Sequence, residues 1–391
     1  MNFEFSNNLK YFQTGIFNVL NDKKAELIKQ GKKVYNLSVG TPDFEPDEHV
    51  KQALINCAKN SENWKYSLDD MPELIDALIS YYKNRFNVNL NSDEIMSVYG
   101  SQEGLTHIGF SLCNKDDIVL VPNPGYPIFE IGPYLSGAEI SYYPLLPENN
   151  YLPDLYKIDE DILKRTKFMV VSYPMNPVCA TAPLEFYDEL IVFAKKHNII
   201  IIHDNAYSDI VYDGECGGSF LSHEGAKEVG VEFYSLSKSF NITGARVSFV
   251  IGNSEIIKHF KMLRSQIDYG IFKPIQHAAI AALTGPQDSV KLHCKEYEKR
   301  RNALCRGLSK IGWSVPDSKG SMFAWAPIPS NFKSSSDFCM ELMEKTGVIC
   351  TPGSAFGSLG EGYVRFALVL PVPIIEEAVS RIAESGILKT K

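Results

Sequence analysis

Short apolar runs, separated by longer stretches of mixed polarity, dominate the middle of this chain. Between residues 46 and 280 seven such runs read as strands, at 94–99, 117–121, 139–143, 168–173, 199–203, 233–236 and 247–251. Several are continuous Val/Ile runs without polar alternation, the pattern of strands covered on both faces. Helical periodicity falls between them. The expected class is therefore α/β, with a mostly parallel seven-stranded sheet joined by right-handed crossovers. In such sheets ligands bind at loops leaving the carboxyl ends of the strands. Helical spacing also marks 19–32, 275–283, 290–311 and 374–384, and strand patterns at 322–328 and 363–369 predict a smaller α+β region. No repeat or low-complexity tract interrupts the pattern.

Composition narrows the function classes. The 391 residues are 45% hydrophobic and 22% charged, which suits a globular enzyme with room for two domains. A net charge of -8 argues against a nucleic-acid partner, since phosphate backbones attract basic surfaces. The eight cysteines contain no C-x-x-C pair and read as reduced thiols. The first residues show no basic run followed by an apolar stretch. The longest apolar runs, such as the four isoleucines at 199–202, are too short to span a bilayer. The expectation is a cytoplasmic protein with no membrane partner. The histidines form no H-x-x-x-H or H-E-x-x-H pattern, so no metal site is expected. No phosphate-binding G-x-x-x-x-G-K-[ST] appears.

The candidate chemistry centres on residues 235–246. This segment sets Lys238 between Ser237 and Ser239, close to Ser235, and follows it eight residues later with Arg246. A lysine that takes an aldehyde cofactor covalently needs phosphate ligands nearby. Hydroxyls and a planar guanidinium suit a phosphate dianion. Asp204 ends the isoleucine strand, either as the cap of a following helix or as a carboxylate for a heterocyclic nitrogen. Tyr207 follows three residues on. Asn176 sits in Tyr173-Pro174-Met175-Asn176-Pro177, by default a turn. Gly100-Ser101-Gln102 leaves a strand and opens a helix, whose first amides form an anion site or a plain cap. Tyr126 stands in the loop Pro124-Gly125-Tyr126-Pro127. Arg365 is embedded in an apolar strand, where a guanidinium needs either a salt bridge or an anionic guest.

Taken in order, these motifs resemble the pyridoxal-phosphate (PLP) aminotransferases of the aspartate aminotransferase type. The resemblance runs from about residue 30 to the end and implies fold type I. A large PLP-binding domain would cover 46–280, and a small domain would be assembled from 1–45 and 281–391. It implies that Lys238 holds the cofactor and moves the substrate's α-proton, that Asp204 faces the pyridine nitrogen, and that Tyr207 and Asn176 reach the phenolic oxygen. Ser101, Gln102, Ser235, Ser237 and Arg246 would bind the phosphate, and Tyr126 would stack on the ring. Tyr66 would reach a neighbouring subunit's phosphate across a homodimer with shared active sites. Arg365 and Gly40 would receive the substrate carboxylate.

Two departures stand out. The family's N-P-T-G is Asn176-Pro177-Val178-Cys179 here, and the glycine that usually follows Tyr66 is missing. Residues 267–272 and 320–325 look most like alanine and LL-diaminopimelate aminotransferases. No arginine falls in 267–273 to clamp a distal carboxylate, so alanine or another neutral or aromatic amino acid is the expected donor, with a 2-oxo acid as acceptor. The alternative on the same fold is a PLP-dependent carbon–sulfur β-lyase. A PLP-fold transcription regulator would need a DNA-binding domain, for which the roughly 45 residues ahead of the sheet leave little room.

Overall fold

The computed structural model describes residues 1–12 and 16–388. Its strands are β1 (Tyr35–Asn36), β2 (Ile95–Val98), β3 (Ile118–Asn123), β4 (Glu139–Pro144), β5 (Thr166–Val171), β6 (Ile200–Asn205), β7 (Gly230–Ser235), β8 (Ser248–Gly252), β9 (Phe323–Pro327), β10 (Val348–Ile349), β11 (Thr351–Pro352) and β12 (Tyr363–Ala367). By contacts the chain falls into two compact units. The larger holds Thr41–Glu298 and Lys319–Met322; the smaller holds Met1–Gly40, Lys299–Ser318 and Phe323–Lys391.

The larger unit is built on the expected seven-stranded sheet, in the order β2-β8-β7-β6-β5-β3-β4. All its neighbouring pairs are parallel except the two made by β8, which runs against β2 and β7. The reason is the connection from β7 to β8. Residues 236–247 hold only a one-turn helix and a 3₁₀ turn, not the crossover helix that a parallel return requires. Every residue of β3, β7 and β8 is buried, whereas in edge strand β4 only Tyr143 is. Helix ends follow local rules: helix Pro72–Phe86 starts on its proline and stops at Asn87 in the left-handed region. Helix Leu184–His197 ends on Lys195, Lys196 and His197, then Asn198 at φ +53°.

This division places 281–298 and 41–45 in the larger unit, whereas the sequence reading put them in the smaller domain. Side-chain contacts explain the difference. His293 stacks on Phe44 at 4.3 Å and its Nδ1 accepts from Asn241 Nδ2 at 3.0 Å, and the Cys294 thiol donates to Val211 O. Helix Lys273–Thr284 packs along helices Glu48–Ala58 and Pro72–Phe86.

The smaller unit contains the antiparallel sheet β11-β12-β9 and the parallel pair β1-β10. Leu20, Leu27, Met343 and Ile349 form one of its buried clusters. The first helix, expected over 19–32, runs from Ile16 to Lys29. The chain must extend after it, because Tyr35 and Asn36 pair with Val348 and Ile349.

Candidate active site

Parallel strands put their carboxyl ends on one edge of the sheet, and most of the candidate residues of the larger unit gather there. Asp204 is the penultimate residue of β6 and pairs in register with Phe233 of β7. No helix follows it, so the capping alternative does not apply. Its carboxyl is buried, and Oδ1 has no hydrogen-bond partner. Burial pushes its pKa up to about 7, with His203 pulling the other way and Glu232 adding to the rise. A buried carboxylate without a donor is costly. This one is suited to a cationic N–H arriving with a ligand.

The strand expected at 233–236 ends at Ser235. Leu236 instead opens a one-turn helix, Leu236–Ser239, which carries Lys238. Ser235 caps that turn, its hydroxyl accepting from Ser237 N–H at 3.2 Å. Tyr207 and Asn176 are buried, in the loops after β6 and β5. Tyr126 is half-buried in the loop after β3, its ring 6.1 Å from Phe129.

Cys179 resolves the missing glycine of the Asn176 loop. It adopts φ +61°, the left-handed conformation that glycine takes more easily. Cys179 N–H donates to Met175 O, and Cys179 O accepts from the amides of Lys319 and Gly320. The backbone path is kept with a cysteine in it.

A second group of candidates surrounds Ser248. Ser248 lies opposite Ser235 and Val98 in the sheet register, and Ser101 Oγ donates to its hydroxyl at 3.2 Å. Helix Ser101–Leu112 starts here; its first intrahelical bond is Gly104 N–H to Gly100 O, which leaves the amides of Ser101 and Gln102 ahead of it. Arg246 donates to Tyr99 O at 3.4 Å and Thr243 O at 3.1 Å. It shares with Gln102 an open cleft of about 640 Å³.

Gly100, quoted in the motif but given no role there, stands in the left-handed region beside Arg246. It has φ +85°, and a Cβ at this position would lie 2.2 Å from Arg246 Nη2. A positive-φ glycine between a strand end and a helix start is the signal that could have found it. Gly100→Ala is expected to cost about 1–2 kcal/mol in backbone strain and to weaken PLP binding by roughly tenfold or more through the displaced guanidinium. Urea unfolding and a visible-absorbance titration with PLP check both; an unchanged affinity would show that Arg246 holds no phosphate.

Tyr66 is 80% exposed, its ring 5.0 Å from that of Tyr269, so it is not a core residue. Gly40 and Arg365 belong to the smaller unit. Arg365, on the middle strand of β11-β12-β9, is buried between two rings, with Cζ 4.1 Å from the centre of Phe323 and 4.6 Å from that of Phe356. Its Nη2 donates to Ser38 O at 2.9 Å. Gly40 packs so tightly on Phe323 that a Cβ would sit 2.4 Å from the ring.

The family model for class I and II aminotransferases matches residues 32–382. The chain belongs to that family. It is 42% identical over 386 residues to the LL-diaminopimelate aminotransferase of Halothermothrix orenii, covering 98% of this chain and 99% of that one. The LL-diaminopimelate aminotransferase of Dehalococcoides mccartyi is 40% identical over 370 residues, 94% and 95% of the two chains. Among solved structures, substrate-bound BacF from Bacillus subtilis superposes with a TM-score of 0.94 at 35% identity, over 98% of both chains. The protein is thus a PLP-dependent aminotransferase of fold type I.

The residues present fit that cofactor: an orphaned buried carboxylate, a lysine on the neighbouring strand's turn, and a helix start beside a guanidinium. No helix among the described residues is long and apolar enough to cross a membrane.

Proposed function

We propose that this aminotransferase takes an amino acid whose distal end carries no net negative charge, and passes its α-amino group to a 2-oxo acid. The observation that carries the catalytic reading is Asp204, a buried carboxylate with an unpartnered oxygen one strand away from the turn bearing Lys238. Bound PLP supplies an electron-withdrawing ring that accepts the charge left when the α-proton departs. Asp204 holds the ring nitrogen's proton, and Tyr207 and Asn176 orient the ring's phenolic oxygen. The Lys238 amine would take the proton from the substrate's α-carbon. Ser101, Gln102, Ser235, Ser237 and Arg246 bind the phosphate, and Tyr126 covers the ring. Arg365, with the close backbone at Gly40, receives the α-carboxylate as a bidentate pair.

The donor class rests on the absence of arginine from residues 267–273. Alanine and aromatic amino acids satisfy it. So does LL-diaminopimelate, the substrate named for the relatives above, because its distal end carries both an ammonium and a carboxylate. We further propose a cytoplasmic homodimer. Exposed Trp64, Tyr66, Leu68, Tyr269 and Phe272 form an apolar face that supports a second copy as partner.

A half-reaction screen tests the substrate and the reaction together. Each common amino acid and LL-diaminopimelate is added to the PLP-loaded protein without an oxo acid. Transamination gives one equivalent of oxo-acid product, with the cofactor aminated, and then stops until an oxo acid is supplied. Continuous release of ammonia and pyruvate would instead identify a carbon–sulfur lyase. Preferential reaction with aspartate or glutamate would refute the donor class.

A further inference from the structure

Asp209 lies two residues beyond Tyr207, and its side chain is only 5% exposed. Its carboxylate gathers donors from three elements. Oδ2 accepts from Ser239 Oγ at 2.6 Å and from Tyr234 OH at 3.1 Å; Oδ1 accepts from Nε and Nη2 of Arg85, both at 3.3 Å. Ser239 directly follows Lys238, Tyr234 precedes the cap residue Ser235 on β7, and Arg85 comes from helix Pro72–Phe86. Tyr234 OH is in turn 2.8 Å from the buried Tyr81 OH.

We propose that Asp209 is a positioning residue for transamination, tying the turn that carries Lys238 to the loop that carries Tyr207. The inference rests on the roles given to those two residues above. A four-residue helix is too short to hold its own conformation, because a single turn fixes several dihedral angles for one or two hydrogen bonds. The turn Leu236–Ser239 therefore needs outside anchors. Ser235 supplies one at its start, and the bond from Ser239 to Asp209 supplies the other at its end. Arg85 provides the counter-charge that lets a carboxylate stand in this buried place. The same carboxylate fixes the backbone two residues past Tyr207, so both functional side chains are referred to one rigid point. An asparagine could not replace it, since four donors converge on two oxygens and an amide would turn N–H groups toward one pair of them.

The test uses the PLP-loaded enzyme and the variants Asp209→Asn, Ser239→Ala and Ser239→Thr. Asp209→Asn and Ser239→Ala are expected to lower kcat about 10- to 100-fold with KM changed less than about threefold, the signature of a misplaced reacting group. Ser239→Thr keeps the hydroxyl and should restore most of kcat. The double variant Asp209→Asn/Ser239→Ala should be hardly slower than either single one, because both remove the same link. In the cofactor-free protein, amide exchange across residues 236–240 should accelerate in both single variants while 118–123 stays protected. Wild-type kcat and exchange in Ser239→Ala, or additive losses in the double variant, would overturn the proposal. If the wild-type enzyme carries its cofactor on a lysine other than Lys238, the reading of the site fails; if it carries it on Lys238 and the variants still behave as wild type, only the role of Asp209 fails.

Discussion

Lys238→Ala should abolish transamination, with kcat falling by more than about 10⁴-fold, since the change removes both the covalent attachment and the group that moves the α-proton. The fold should survive. Lys238 is half-buried on a one-turn helix that is capped by Ser235 and anchored through Ser239, and neither contact uses the lysine side chain. PLP should still bind, held through the phosphate by the Ser101–Gln102 helix start and Arg246, so the variant is expected to keep the cofactor non-covalently while losing turnover. Stopped-flow assays with the best donor from the half-reaction screen measure the loss. Retention of even a tenth of the wild-type rate would show that another base moves the proton.

Asp204→Asn should lower kcat by about 10²–10³-fold or more, the usual scale for removing one preorganised electrostatic contact from a buried site. The same substitution has a second effect that needs no substrate. In the folded cofactor-free protein burial lifts the Asp204 carboxyl from 3.8 to about 7. The unfolded chain gives up its proton near pH 4 while the folded one keeps it, so Asp204 costs stability progressively as pH rises from about 4 to about 7, and the cost is constant above that. Its full size is on the order of 4 kcal/mol. Asp204→Asn should remove this slope, leaving the cofactor-free variant less sensitive to pH than the wild type across that window. PLP should reduce the slope in the wild type, because the ring N–H gives the ionised carboxylate a partner. Urea unfolding from pH 4 to 8, with and without PLP, checks the sign; a wild-type protein that gained stability over this range through Asp204 would contradict the burial argument.

Glu232 shows why two buried acids on neighbouring strands behave differently. It too is fully buried, and burial pushes it up. Bonds from His203, Tyr82 and Ser219 outweigh that and hold it below the usual carboxylate range. Phe220 N–H adds a fourth donor. Glu232 is a satisfied structural charge. Asp204 lacks such donors and is left for a ligand.

The inner strands of the sheet were legible because they are buried on both faces and several read as continuous Val/Ile runs. All seven appear at the expected places, within a few residues at their ends. The short strands β1, β10 and β11 were not legible, because two-residue strands carry no periodicity and β1 pairs with a strand more than 300 residues away. Strands β9 and β12 appear where the patterns at 322–328 and 363–369 placed them. The candidate site residues came from the setting of Lys238, from the charge of Asp204 and Arg365 in apolar strands, and, for their roles, from the family resemblance. Gly100 and Asp209 escaped as functional residues. The crowding at Gly100 comes from the distant guanidinium of Arg246, and the hydrogen bonding of Asp209 from donors on three separate elements. Neither relation leaves a local pattern. Cys179 was misleading in the opposite sense, since the loop keeps a glycine's backbone without the glycine.

The account's central claim is that the Lys238 amine carries the cofactor. Borohydride reduction of the PLP-loaded protein locks the cofactor's carbon to whichever amine holds it, and peptide mass mapping then identifies that residue. A single pyridoxyl adduct is expected on the peptide containing Lys238, absent from Lys238→Ala. An adduct on a different lysine, or none on a protein that transaminates normally, would contradict it.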